Sequence, residues 1–289
     1  MAAAAMGQEP GWWRGVLTLA LVMAVMVGAP TAYPGNWPPA VVVESSSMMH
    51  ADGEVAFGRY GTIDPGDLVL VKRVASPEEV RTFVEDAEAR YGSAGDVIVF
   101  RPGGDEARSP VIHRAMAYVD VAPEGFRVRW DPAAPCEGDA RKDPADAAWC
   151  VFPAEGVLVP SAGIAWRGGR PWRPDADGFI TKGDNAVTNA WMDPAGGISV
   201  NESGAPGVVR LEWVVGKARG ELPWLGLEKL AAQGKPNEPD PPASYVRVGS
   251  AYAPADLWVS LAVALALVVG GPLAWDGWRA WRSRRRAAP

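Results

Sequence analysis

The chain has 289 residues, 48% of them hydrophobic, with 34 acidic against 28 basic side chains and a net charge of −6. That length supports one sizeable domain or two small ones around a real core, which excludes a disordered chain. The acid excess argues against nucleic acid as a partner.

Two apolar segments stand out, Gly15 to Ala29 and Leu257 to Trp275. The first rises only about 22 Å as helix, short of a ~30 Å hydrocarbon core, unless Gly11, Trp12 and Trp13 join it with Arg14 snorkelling. A cleavable signal peptide ending near Ala29 or Ala32 is the alternative. The second carries no charge between Asp256 and Asp276, and its Pro272 is tolerable in lipid. Trp12, Trp13, Trp258, Trp275, Trp278 and Trp281 flank the two segments as an aromatic belt would, and both read as transmembrane helices. Arg279, Arg282, Arg284, Arg285 and Arg286 put the C-terminus in the cytoplasm by the positive-inside rule. With two spans the N-terminus is cytoplasmic too, and the middle of the chain lies outside.

The expected organisation is an anchor over 1–30, a tether over 31–40, an extracytoplasmic domain over 41–226, a second tether over 227–254, a second span over 255–275 and a basic tail over 276–289. Pro30 to Pro39 carries four prolines and delivers a strand, Val41-Val42-Val43. Asp64-Pro65-Gly66-Asp67 turns into the strand Leu68 to Val74. Ser76-Pro77-Glu78-Glu79 reads as a helix start, with Val80, Phe83, Val84 and Ala87 on one face and Gly92 as the stop. Val97 to Phe100 and Val111 to Arg114 are strands at hairpin spacing. Residues 120–178 read as an insertion on the same β scaffold. They hold the two cysteines, Cys136 and Cys150, whose external setting favours a disulfide. Phe179 to Asn185 and Val208 to Val215 are strand-like, and Leu227 to Pro254 holds a short helix and a Pro-rich stretch. The predicted fold is mostly β, between two anchors. Asn201-Glu202-Ser203 is a glycosylation sequon consistent with an external face.

Chemistry centres on Val41-Val42-Val43-Glu44-Ser45-Ser46-Ser47-Met48-Met49-His50, where a strand meets a hydroxyl cluster. A serine nucleophile at neutral pH needs a base, most often histidine, and the chain has two, His50 and His113. Taken singly, these residues are turn and core material: serine runs and Gly183-Asp184-Asn185 suit turns, and His113 ends an apolar strand.

Their joint order carries more. Ser45-Ser46-Ser47-Met48, Gly66-Asp67-Leu68-Val69-Leu70-Val71, Gly95-Asp96-Val97-Ile98-Val99-Phe100, Val111-Ile112-His113-Arg114 and Thr181-Lys182-Gly183-Asp184-Asn185 follow one another as five boxes. Gly216-Lys217-Ala218-Arg219-Gly220 with Pro223 and Gly226 looks like a closing box. The set resembles the type I signal peptidases, in their archaeal and endoplasmic-reticulum branch, over about Ala40 to Gly226. The resemblance implies a membrane-bound serine endopeptidase that removes signal peptides from secreted preproteins after small residues.

By that resemblance Ser47 is the nucleophile and His113 the base, at the place where bacterial relatives carry lysine. Lys72 and Lys182 are rival bases outside the matching position. Asp193 is favoured as the carboxylate orienting His113, with Asp184 holding the loop. The second acid stands nine residues after Asp184 where the eukaryotic pattern has six, and Ala186 follows Asn185, so the third triad member stays open. Ser45 and the Ser47 backbone N–H would form the oxyanion hole. Val41, Val42 and Val43 would offer an edge to an extended substrate strand, or serve as plain core. The implied partners are preprotein signal peptides, the lipid bilayer and the Sec translocon. No cofactor or metal is implied. A LexA-like self-cleaving regulator fits poorly with two membrane segments, and a non-catalytic membrane-anchored scaffold remains the alternative from another class.

Overall fold

A computed structural model describes residues 39–50, 61–85, 88–122, 125–136, 140–153, 172–223, 225–232, 245–248 and 251–286. The first predicted span and most of its tether lie outside them. The fold is mostly β and antiparallel. Among the described residues nine strands form one sheet: β1 (Ala40–Val42), β2 (Leu68–Lys72), β5 (Val97–Phe100), β6 (Val111–Ala122), β7 (Gly125–Arg129), β8 (Arg141–Lys142), β9 (Trp149–Pro153), β10 (Gly178–Lys182) and β11 (Val214–Leu222). Their order is β1-β2-β11-β5-β6-β7-β9-β8, with β10 also on β6.

The organising strand is β6, twelve residues long. It pairs with β5 from Val111 to Arg114, with β10 from Arg114 to Val119 and with β7 from Val119 to Ala122. Residues 113 and 114 therefore sit where strands from two directions meet. Apolar side chains pack on both sides of this junction. Met116, Phe126, Val128, Phe152, Ile180 and Met192 share one cluster, and Ile98, Phe100, Ala115, Phe179 and Trp213 another.

Several elements differ from expectation. No α-helix starts at Ser76; two single 3-10 turns, Pro77–Glu79 and Phe83–Glu85, are followed by a small hairpin, β3 (Ala89–Arg90) with β4 (Ser93–Ala94). A tertiary bond explains the break, because the Arg81 carbonyl that a helix would use accepts the Asp96 N–H at 2.7 Å. A Cβ at Gly95 would lie 2.7 Å from the Phe83 nitrogen, so the Gly95-Asp96 turn docks directly on this segment. The apolar positions still do their packing: Val80 is fully buried, and Phe83 and Val84 lean on the larger cluster.

The described parts of 120–178 extend the main sheet through β7, β9 and β8 rather than standing apart from it. Phe126, Val128 and Trp130 alternate inward there, a period-2 pattern hidden by the surrounding Ala and Pro. Cys136 and Cys150 are joined by a disulfide. The strand expected from Val208 begins later, since Leu211–Trp213 is a 3-10 turn and β11 starts at Val214.

After α1 (Asp193–Gly196), the chain's C-terminal part forms α2 (Leu227–Ala232), a hairpin of β12 (Tyr245–Val248) and β13 (Ala251–Pro254), α3 (Ala255–Leu265), a π turn over Ala266–Gly270 and α4 (Gly271–Arg286). The hairpin falls where a tether was expected. No helix among the described residues is long and apolar enough to cross a membrane. The span expected over Leu257 to Trp275, with a bend at Pro272, is divided by the π turn just before that proline. Pro272 has no N–H for the carbonyl four residues back, which favours such a widened turn just before it.

Two measurements follow from this packing. The Cys136–Cys150 bridge closes a separation of 14 residues, so a Cys136→Ser/Cys150→Ser variant should lose about 3 kcal/mol in urea denaturation; an unchanged midpoint would show that the bridge constrains nothing. Glu221 on β11 is buried, accepts a bond from the Gly61 N–H and leaves Oε2 without a partner. Burial, opposed by that bond and reinforced by Asp64, pushes its carboxyl up to about 7. A raised acid stabilises the fold fully below its ordinary 4.5 and progressively less as pH rises through 7. Glu221→Gln should therefore be more stable than wild type at pH 8 and lose less stability than wild type between pH 5 and 8 in urea denaturation.

Candidate active site

The serine segment follows β1 directly. The Val43 N–H bonds to the Asp67 carbonyl, and the Gly66 N–H to the Val43 carbonyl, so the chain leaves the sheet at a fixed point. Met48, 1% exposed, plugs a cluster of Val43, Ile63, Val69, Val97 and Ala218. Burying such a side chain contributes about 1.5–3 kcal/mol, enough to hold the backbone on either side of it. Ser47 is left at the rim, half-buried, with its Oγ accepting a bond from Ser45 Oγ at 3.2 Å.

The loop after β10 grips this segment. Asn185 donates its N–H to the Ser47 carbonyl at 3.0 Å and its side-chain Nδ2 to the Ser46 carbonyl at 3.0 Å. Asn189 Nδ2 reaches the Ser47 carbonyl at 3.4 Å. Gly183 makes the approach possible, because a Cβ there would lie 2.6 Å from the Ser47 carbonyl oxygen. Lys182 pairs with Arg114, so the loop that begins at Gly183 leaves β10 beside the strand that carries His113.

His113 is 2% exposed. Its Nδ1 lies 2.6 Å from Asp193 Oδ2, and Thr181 Oγ1 donates to the same oxygen at 2.6 Å. A carboxylate accepts, so the hydrogen of this bond belongs to Nδ1, which leaves Nε2 as the nitrogen available to a reacting group. Asp193 is fully buried at the start of α1, with Oδ1 lacking a partner. Between the two acids left open by the sequence, Asp193 is the one that reaches His113.

Asp184 serves the opposite neighbour. Arg114, 1% exposed, holds it with Nε to Oδ1 at 2.8 Å and Nη2 to Oδ2 at 2.5 Å. The remaining guanidinium hydrogens go to the carbonyls of Arg90, Tyr91, Ser93, Ala94 and Gly95. His50 Nε2 lies 3.1 Å from Asp184 Oδ2 and 2.8 Å from the Tyr91 carbonyl. Burial pushes the Asp184 carboxyl up, but the bonds from His50 and Arg114 outweigh it and hold it below the ordinary 3.8. The bond to Asp184 raises the His50 imidazole above 6.5, against the opposing pull of burial.

The other expected residues divide. Val41 and Val43 face the core beside Met48, while Val42 packs toward Leu227, Leu230 and Leu257. Their side chains are therefore packing groups, and what β1 presents outward is backbone at the end of the sheet order. Lys182 is close by: its Nζ donates to the Gly183 carbonyl at 3.1 Å, and burial lowers its pKa while Asp184 and Asp193 pull it back up. Lys72 is exposed, in register with Lys217. Asn189 and the carbonyl-collecting role of Arg114 had no signal in the sequence, since both depend on partners far along the chain. The remaining box acids are structural. Asp96 collects Lys217 at 3.1 Å, Arg219 at 3.1 Å and Arg90 at 3.6 Å, and Asp67 caps the Asp64 N–H at 2.8 Å.

Ser47 Oγ and His113 share no hydrogen bond in this geometry; Ser45 holds the serine oxygen instead. Such bonds commonly tighten only when substrate is bound. No protein-family model matches the chain, and no curated protein matches it significantly.

The two acids predict different losses. Asp184→Ala leaves a buried guanidinium without its counter-charge and should cost about 3–5 kcal/mol in urea denaturation. Asp193→Ala removes a partner of neutral groups and should cost about 1–3 kcal/mol. Because the Asp184 carboxyl titrates below its ordinary value, its contribution is present above pH 3.8 and disappears as pH falls through the depressed value. A larger loss from Asp193→Ala would reverse the assignment of anchor and orienting group.

Proposed function

We propose that the chain is a membrane-anchored serine endopeptidase that removes N-terminal signal peptides from secreted preproteins, working as type I signal peptidases of the archaeal and endoplasmic-reticulum branch do. The observation that carries this reading is the buried His113–Asp193 pair, with the Ser47 segment clamped by the loop that runs from β10 to Asp193.

In the proposed reaction His113 Nε2 takes the Ser47 hydroxyl proton as the serine oxygen attacks the scissile carbonyl, and Asp193 stabilises the imidazolium that forms. The proton then passes to the leaving amine, and water repeats the sequence on the acyl-enzyme. Ser45 Oγ and the Ser47 N–H are the donors for the oxyanion. The Ser45 hydroxyl now donates to Ser47, so turning it toward an oxyanion would release the Ser47 hydroxyl to face the base. Substrate would add as a strand along the outer backbone of β1, a mode that tolerates varied sequences.

Membrane anchoring draws support from the C-terminal helices. Val259, Val263, Leu265 and Leu267 are exposed on α3 and the π turn, and Trp275, Trp278 and Trp281 are exposed beside the arginines of α4. The disulfide fits an oxidising, extracytoplasmic location for the catalytic domain. The bilayer, preprotein signal peptides and the Sec translocon are the partners this reading requires. A second reading, with Lys182 as base, has one observation in its favour, the burial that lowers its pKa next to Gly183.

The test is cleavage of a labelled preprotein by detergent-solubilised full chain. Ser47→Ala and His113→Ala should each lower the rate by about 10² to 10⁴, Ser47→Ala with an unchanged melting curve and His113→Ala with a lowered but still cooperative one. Undiminished cleavage by His113→Ala together with loss in Lys182→Ala would transfer the base role to Lys182. Undiminished binding of preprotein with no cleavage by wild type would leave a membrane-anchored scaffold.

A further inference from the structure

His50 is the histidine the proposed reaction does not use, yet it is three residues from Ser47 and firmly held. Its Nε2 is shared between the Tyr91 carbonyl at 2.8 Å and Asp184 Oδ2 at 3.1 Å. The ring is seated against Gly92, whose φ of +83° belongs to glycine and where a Cβ would lie 2.7 Å from Nε2. Both acceptors belong to the Arg114 network, because the guanidinium also binds Asp184 and the Tyr91 carbonyl.

The serine segment is therefore fixed at three places. Its start is bonded to Asp67 and Gly66, its middle to Asn185 and Asn189, and its end to Asp184 through His50. Asp184 and Asn185 are consecutive, so the last two fixings come from one short stretch of backbone. We infer that His50 is a positioning residue for Ser47: its imidazole ties the end of the nucleophile loop to the Asp184–Arg114 ion pair and so sets where the serine oxygen stands.

The charged groups facing His50 are Asp184 from the loop after β10 and Arg114 from β6, with the Tyr91 carbonyl from the β3–β4 turn. Asp184 favours the charged ring and Arg114 opposes it, and the bond to Asp184 leads the balance. The imidazole is raised above 6.5, so the tie is fully present below that value and is lost as pH rises through the raised one. The loop should loosen on the alkaline side.

This inference rests on Ser47 being the nucleophile, but its main readout does not require catalysis. Hydrogen exchange of the Met49 and Asn185 amides, which bond to the Ser46 and Ser47 carbonyls, reports the order of the loop. In full chain at pH 6.5, His50→Ala should speed exchange at both amides by about 10- to 100-fold while leaving Ala117 on β6 unchanged. His50→Gln keeps a donor for the Tyr91 carbonyl without a charge and should restore part of the protection, with no further loss as pH rises. For preprotein cleavage, His50→Ala should lower kcat by about 10- to 100-fold at constant KM, as expected for a displaced nucleophile. Accelerated exchange in His50→Ala, together with a wild-type chain that cuts nothing, would keep the tie to the loop and discard the peptidase. Exchange at Met49 and Asn185 identical in wild type and His50→Ala would overturn the inference.

Discussion

The constraint on which the site depends is the burial of one guanidinium. Arg114 is 1% exposed, and a charge in that position must be neutralised and have its hydrogens accepted. Five carbonyls between Arg90 and Gly95 and the carboxylate of Asp184 meet that demand. The acceptors come from two distant stretches of chain. Satisfying one side chain therefore fixes both the β3–β4 turn and the start of the loop after β10. The loop is then where Asn185 can hold Ser47, and the turn is where Tyr91 can hold His50.

Adjacent residues on a strand point to opposite faces, and β6 uses this to separate two tasks. His113 reaches Asp193 on one side, while Arg114 reaches Asp184 on the other. The nine-residue step from Asp184 to Asp193 must accordingly pass around the end of β10. Its intermediate asparagines meet the serine segment on the way. The wider acid spacing noted in the sequence has a geometric counterpart here, since the passage holds Asn185, Asn189 and the short α1 that presents Asp193.

Legibility followed how local the cause was. Val97 to Phe100 could be read from four β-formers between Gly95-Asp96 and Pro102, and all four are buried in β5. The absence of a helix after Ser76 could not, because the Asp96 N–H that takes the Arg81 carbonyl comes from 15 residues further on, beyond any helical window. β7 and β9 were hidden for a related reason: Phe126, Val128 and Phe152 keep their alternation, but short strands amid Ala, Pro and acids give a weak period. Ser47, His113 and the acid pair were legible as an ordered set. The choice between Asp184 and Asp193 was not, because it turns on which face of β6 each carboxylate meets.

The C-terminal helices bear on the same site through packing. Leu257 at the start of α3 is 3% exposed against Leu227 and Leu230, with Val42 of β1 leaning on the same cluster. Gly66 is part of this contact, since a Cβ there would lie 2.7 Å from Leu227 Cδ2 and 3.1 Å from Leu257 Cδ1. The Gly66 N–H also bonds to Val43, two residues before Ser45. A helix docked at this point is joined to the edge strand and the serine segment by buried contacts, whereas a long Pro-rich linker alone would leave their relative orientation loose. If the exposed apolar face of α3 lies in a bilayer, the edge of β1 is held at a set height and angle above it. The proposed peptidase would need such a geometry if its substrate emerges from the membrane as an extended chain.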